Sequence, residues 1–475
     1  MTAARTSSTS TLDETLLRRL FEDAAKRSGT FGAQLSIIKG DRQIELATGV
    51  SNVERAEEMK TDTLMQIGSI TKVFNATIVM SLVSEGVLDL DTPVNRYIST
   101  LELANPEAPR GLSLRHLLSM SSGLDNGRYV YFGVGDDALG QYVRELRSLP
   151  QYFPPGVHFG YSNAGICIAG HAAATAAGKP WETLLQDRIL RPAGLERSAV
   201  LDSDLLGRCV SAGHYPSPSD TEVIVREATF SPHRARAPSG ATLALAAGDL
   251  ARFGKVFING GVANTGCRIL SEHATKVMLT PHTHVPSLVF GDRWCLGPSM
   301  ADWNGIEVWG HAGGTFTSCS FLHWIPHCKA VIAFIVNTPS SFGDFSRAVY
   351  DEFFAAAFGF SKPRFDLPEC RTAANLQRYV GIYKDLGNTL DVTAGEGNTL
   401  HARHVVHRTP QEEAVHQPDR SAVLTPLGRD RFLVNFDDGP NKFVDSLDTA
   451  FFGDDGDGHA TNVLNAVLPM RWIGS

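Results

Sequence analysis

No apolar run in this 475-residue chain approaches the roughly 20 residues needed to cross a bilayer as a helix. "AVIAFIV" at 330–336 is among the longest and falls below half that length, so no membrane partner is expected. The first thirty residues hold no apolar stretch of seven and so lack the hydrophobic centre of a secretory signal, which makes the cytoplasm the expected location. Basic residues form no long run, and 43 Lys and Arg against 51 Asp and Glu leave a net charge of −8. Nucleic acid is not an expected partner of such a surface. The seven cysteines (167, 209, 267, 295, 319, 328 and 370) contain no Cys-x-x-Cys pair and sit mostly among apolar neighbours, the pattern of buried reduced thiols rather than of a disulfide framework. No serine lies in a Gly-x-Ser-x-Gly elbow, so an α/β-hydrolase is not supported.

What the chain does have is globular: 43% hydrophobic and 20% charged residues, in a length that favours a large composite domain plus a smaller one. After a polar tail over residues 1–11, Leu12, Leu16, Leu17, Leu20, Phe21, Ala24 and Ala25 recur at helical spacing up to Gly29. "AQLSIIK" and "QIELATG" flank Gly40-Asp41 as a hairpin, and "SCSFLHWI" (318–325) and "AVIAFIVN" (330–337) form a second one across Pro326, followed by a helix from about Ser346 to Phe358. Between these strands lie helical signals with Gly- and Pro-rich turns. The expected fold is therefore α/β (α+β): an antiparallel sheet flanked by helices, with an inserted all-helical lobe at about 101–239, inside a catalytic domain spanning 12–360. "SKPRFDLPECRT" reads as a linker over 361–372. From 373 to 475, short alternating runs ("TLDVTA", "TLHARHVV", "SAVLTPL", "RFLVNF", "KFVDSL", "LPMRWI") recur at intervals of roughly ten residues, the signature of a small antiparallel barrel.

"GSITK" at 68–72 places Ser69 at or near the N-terminus of a helix whose apolar face is Ile70, Val73, Phe74, Ile78 and Leu82 and which Gly86 ends. Unpaired backbone N–H groups there favour a developing negative charge, and Lys72 lies one turn on, on the same face. A serine needs a base to become a nucleophile, and a lysine serves only if its own pKa is lowered. Taken alone the pattern also reads as a capping serine followed by a solvated lysine. It does not stand alone: Tyr161-Ser162-Asn163 and His311-Ala312-Gly313-Gly314 follow at intervals of about 90 and 150 residues. "HARHVVH" spaces its histidines three apart in a strand, on opposite faces, and "GDDGDG" (453–458) lacks the glutamate that closes a calcium loop, so no metal site is expected.

Ser-x-x-Lys, Tyr-x-Asn and His-x-Gly in this order resemble the serine β-lactamase and penicillin-binding-protein superfamily, in the branch of class C β-lactamases, D-aminopeptidases and esterases. "LSLRHLLSMSSGL", "PPGVHFGYSNAG", "ILRPAGLERS" and "APSGATLALAAGDLARFGKVFINGG" extend the resemblance over about residues 30–360, and the C-terminal region is similar to the lipocalin-like barrel of some members. The resemblance implies that Ser69 is acylated, that Lys72 lowers its proton affinity and that Tyr161 acts as, or shares the role of, general base and acid. It implies further that Asn163 bonds the substrate amide and Lys72, and that His311 stands in the place of a lysine and clamps a carboxylate less strongly. Gly313 and Gly314 admit the substrate backbone, and the N–H groups of Gly314 and Ser69 form an oxyanion hole.

The expected activity is that of a serine hydrolase or acyltransferase acting on an amide, ester or thioester of a small-molecule or short-peptide substrate, free or carrier-protein-bound, with D-residues among the candidates. No cofactor is expected. The motif order, the missing export signal and the barrel also resemble stand-alone peptide cyclases, penicillin-binding-protein-type thioesterases that release nonribosomal peptides by macrolactamisation. A non-catalytic binding protein on the same fold is the competing class, and it would have no need of a lysine beside its serine.

Overall fold

A computed structural model of the chain describes residues 12–128, 131–217, 222–228, 230–286, 290–363, 375–407, 419–428, 430–437, 448–465 and 468–474. The expected 1–11 tail, all but 361–363 of the expected linker, Cys370 and the "KFVDSL" strand (442–447) lie outside the described residues.

The Asp13 carboxylate accepts the Leu16 N–H at 3.0 Å and caps the Glu14–Arg27 helix, whose buried stripe is Leu17, Phe21, Ala24 and Ala25. Both expected hairpins form, with Lys39 opposite Arg42 and Ile325 opposite Ala330. They pair through Gly32–Lys39 and Ala330–Val336 at the centre of a nine-stranded antiparallel sheet that also holds Glu307–Gly314. Ala330–Val336 is buried at every position because helices cover both faces. Ile332, Phe334 and Val336 pack with Phe21 of the first helix, while Val331, Ala333 and Ile335 join the core of Phe253 and Val256 in the Ala247–Ile258 helix. Full burial of one such Phe or Ile contributes about 2 kcal/mol.

Two elements differ from their sequence pattern. The Thr71–Ser84 helix has no polar face: Thr71 through Leu82 are all buried. Its polar side chains are satisfied from within, with the Thr77 hydroxyl donating to the Val73 carbonyl at 2.8 Å and Asn75 accepting from the Trp181 indole at 2.8 Å. The C-terminal helix begins at Phe342 rather than about Ser346, since Phe342 and Phe345 pack against Phe334 and carry the "FG" pair into the helix. The 101–239 region holds helices such as Leu114–Leu118, Ala138–Arg144 and Asn163–Ala177, and beside them the short strands Ser198–Ala199, Gly213–Pro216 and Val223–Arg226. Of the described cysteines, Cys167, Cys295 and Cys319 are buried, whereas Cys209 and Cys267 are exposed.

Eight antiparallel strands between Gly381 and Gly474 close into a barrel around Tyr383, Val392, Leu400, Phe432 and Val463. His401 and His404 sit on one of them, and no metal-binding cluster occurs among the described residues. The barrel meets the catalytic region at its Asp385–Gly387 loop. Burial first, and the neighbouring Asp125 carboxylate second, push the Asp385 carboxyl up to about 6.

A carboxyl raised in the folded state stabilises the chain fully below its ordinary value of 3.8 and loses that contribution as pH climbs through about 6. Asp385→Asn cannot ionise. Over this window the wild-type chain is expected to lose on the order of 2 kcal/mol of unfolding free energy relative to the variant. Paired denaturant titrations from pH 4 to 6.5 measure it, and parallel curves refute it.

Candidate active site

Ser69 lies half-buried in a one-turn 3-10 helix, Gly68–Ile70, that leads into Thr71–Ser84. The turn requires φ +54° at Gly68, and a Cβ there would lie 2.5 Å from the Gly314 amide nitrogen. This close approach is fixed by side chains: Ser320 Oγ donates to the Ile67 carbonyl at 2.9 Å and Thr317 Oγ1 donates to Gln66 Oε1 at 2.9 Å. A Cβ on Gly313 would overlap the Ile67 carbonyl oxygen. The backbone amides of Ser69 and Gly314 are thereby brought to one place at the end of the Glu307–Gly314 strand.

Lys72 is fully buried. Its Nζ is hydrogen-bonded to Ser69 Oγ at 2.8 Å and donates to the Ser239 carbonyl at 2.6 Å. Burial first, and the cationic Arg236 second, hold the amine well below its ordinary 10.5, which favours the neutral form that can take the serine proton. The Tyr161 ring packs over the same nitrogen, with its centroid at 4.8 Å. Tyr161 also stacks on Phe290 (centroids 5.4 Å apart, 6° between planes) and meets the edge of Trp294 at 5.8 Å.

Ser162 caps the following helix by accepting the Gly165 N–H at 3.0 Å, and Asn163 opens that helix with its N–H on Asn126 Oδ1 at 3.0 Å. The hydrogen bonds of Lys72 in the structure run to Ser69 and Ser239, and none to Asn163 is formed.

His311 is buried against Trp294 and Phe290, with centroids at 5.2 and 5.7 Å. Burial first, and Lys72 second, push its imidazole down to about 3, so it is neutral at ordinary pH. Its Nδ1 bonds the Ala312 carbonyl, which can only accept, so the proton is on Nδ1 and Nε2 presents a lone pair. That Nε2 is buried and has no hydrogen-bond partner among the described residues. A ring in this state accepts a donor and cannot clamp a carboxylate as a cation.

The structure thus brings Ser69, Lys72, Tyr161, His311, Gly313 and Gly314 to one place, with Asn163 two residues beyond Tyr161 at the same helix start. Four contributors carry no signal in spacing: the Ser239 carbonyl, Arg236, Phe290 and Trp294. Gly240 is a fifth, since a Cβ on it would lie 2.8 Å from the Ser69 nitrogen. "APSGA", which holds Ser239 and Gly240, lies in a stretch that already resembles the family.

The beta-lactamase family model matches residues 17–357. Penicillin-binding protein 4 of Amycolatopsis lactamdurans is 30% identical over 336 residues, 68% of this chain and 85% of that one. The D-aminopeptidase of Brucella anthropi is 26% identical over 188 residues, 38% of this chain and about a third (34%) of its own length. Among solved structures, SurE superposes with a TM-score of 0.76 at 22% identity, covering 97% of this chain and 99% of that one, a likeness of fold that includes the barrel. SurE has also been solved with D-Leu. With Ser69 bonded to the buried Lys72 at the head of its central helix and a family match across most of its length, this chain belongs to the beta-lactamase family and is a serine hydrolase of the β-lactamase and penicillin-binding-protein type.

Proposed function

We propose that Ser69 is acylated by an amide, ester or thioester of a small peptide-like substrate, and that water or a second nucleophile then takes the acyl group. The observation that carries this reading is the desolvated Lys72 amine on Ser69 Oγ at 2.8 Å. Lys72 accepts the serine proton, and Tyr161, packed over Lys72, passes a proton to the leaving group. The Ser69 and Gly314 amides hold the oxyanion, each worth about 3 kcal/mol in the transition state. Asn163 bonds the substrate amide. The domain limits 12–360 and 373–475 are part of the same proposal, with the cleft in the first.

A D-residue at the acylating position is supported by the D-aminopeptidase relative and by D-Leu in the SurE structure. One feature favours a second reading, in which the substrate's own amine intercepts the acyl group. The bare Nε2 of His311 suits an incoming N–H rather than a carboxylate. On that reading the chain is a stand-alone peptide cyclase.

Ser69→Ala is expected to abolish labelling by a fluorophosphonate probe and to lower ester turnover by at least about 10³-fold, as for other activated-serine sites. Full activity of that variant removes Ser69 from the chemistry. Acylation should rise with pH to a plateau reached well below 10.5, as Lys72 loses its proton, with no step near 6.5 from His311. Mass spectrometry of products from a D-residue-containing peptide thioester separates the two readings, a linear acid for hydrolysis and a cyclic product for aminolysis.

A further inference from the structure

We propose that the C-terminal barrel positions the Tyr161 motif from outside the cleft, through a clamp formed by Asp125, Arg128 and the backbone of Leu386. The proposal rests on the reading of Tyr161 as proton carrier.

Residues 125–127 run along the start of the Tyr161 helix without regular secondary structure and bond it in sequence. Ser162 Oγ donates to the Asp125 carbonyl at 2.7 Å, the Asn163 N–H to Asn126 Oδ1 at 3.0 Å and the Ala164 N–H to the Asn126 carbonyl at 3.0 Å. On its other side this segment is held by the barrel. The Asp125 carboxylate, only 2% exposed, accepts the Leu386 N–H at 3.1 Å and the Tyr152 hydroxyl at 2.6 Å. Arg128 donates from Nε to the Leu386 carbonyl at 3.0 Å, and its Nη2 donates to the same oxygen. Both backbone polar groups of Leu386 are thus gripped. Leu386 lies in the loop joining the first two barrel strands, Gly381–Lys384 and Asn388–Ala394.

A second contact reaches the motif from the other direction. Phe452 of the barrel packs on Phe153 and His158, with centroids at 5.7 and 4.5 Å. A Cβ on Gly160, the residue before Tyr161, would lie 3.2 Å from Pro469 Cγ. The residues flanking Tyr161 on both sides are therefore backed by the barrel. A phenol moved by about 1 Å from its proton path loses up to about 10² in rate. Asp125 and Arg128 are positioning residues, since neither touches the reacting atoms.

The test uses the full chain with a D-amino-acid p-nitroanilide, whose amine leaving group must take up a proton to depart, and rates are normalised to the fraction labelled by fluorophosphonate. Asp125→Asn and Arg128→Ala are each expected to lower kcat about tenfold with KM changed less than about twofold. Arg128→Lys, which keeps one donor, should recover most of the rate. In a Tyr161→Phe background the same substitutions should cost less than about twofold, because the proton carrier they position is gone. Arg128 is exposed and Phe452→Ala lies in the barrel, so these variants answer if Asp125→Asn fails to fold. A lowered melting temperature with unchanged normalised kcat overturns the clamp, as does an equal loss of rate in the Tyr161→Phe background. Full kcat in Tyr161→Phe itself overturns the proton-carrier reading and the clamp with it.

Discussion

The site depends on an amine that has no water to hold its proton. Removing an ammonium from water costs several kcal/mol, so a lysine buried as Lys72 is, with a second cation in Arg236 nearby, is biased toward the neutral form. The same burial requires the helix that carries it to be surrounded on every side. That is why Thr71, Asn75 and Thr77 are interior residues whose polar groups are satisfied by backbone and by Trp181. Base strength at Ser69 and the architecture of the central helix are two consequences of one desolvation.

Close backbone approach is the complementary constraint. Gly68 and Gly313 leave no Cβ between the Ser69 turn and the strand edge, and Ser320 and Thr317 bond the gap shut. Any larger side chain at either glycine would separate the two amides that the proposed oxyanion hole needs. On the third side His311 is buried, aromatic-lined and neutral, so the site joins a desolvated amine to a wall without positive charge. Such a wall lowers the premium on a substrate carboxylate and leaves room for an amine or an amide N–H.

The Ser69–Lys72 pair, the Tyr161 and His311 motifs, both hairpins of the sheet and five of the eight barrel strands are legible in the sequence because spacing and period carry them, whereas Gly381–Lys384, Asp448–Phe452 and Asn462–Asn465 are not. The helix after Ser69 reads too narrow on its apolar pattern, since Thr and Asn count as polar until their local bonds are known. Ser239, Phe290 and Trp294 are invisible for a different reason: they act through a backbone carbonyl or a ring face, and they reach Lys72 and Tyr161 only once distant segments fold together. The tautomer of His311 is likewise set by the Ala312 carbonyl beside it, and no residue-type rule anticipates that.

The three polar groups of the proposed mechanism are carried by different kinds of backbone. Lys72 is held by a helix packed on all sides and His311 by the interior of a sheet, so neither can drift without disturbing the core. Tyr161 follows a stretch, 150–160, with no helix and only an isolated bridge, and it lies against 121–128, which is equally irregular. The two stretches are joined to each other by backbone bonds, from the N–H groups of Asp125, Tyr152, Gly156 and Gly160 to the carbonyls of Pro150, Gly123, Ser121 and Met120. The barrel contacts these stretches rather than Lys72 or His311. Its apolar contacts, Phe452 and Pro469, bring it up against 153–160 without fixing an orientation, whereas the directional bonds of Asp125 and Arg128 to Leu386 fix the register. A carboxylate facing Asp385 across this joint weakens it electrostatically, which is tolerable only because donors from Leu386, Tyr152 and Gly127 satisfy Asp125 first. The irregular segments that carry Tyr161 are thus backed by a domain that contributes none of the reacting groups.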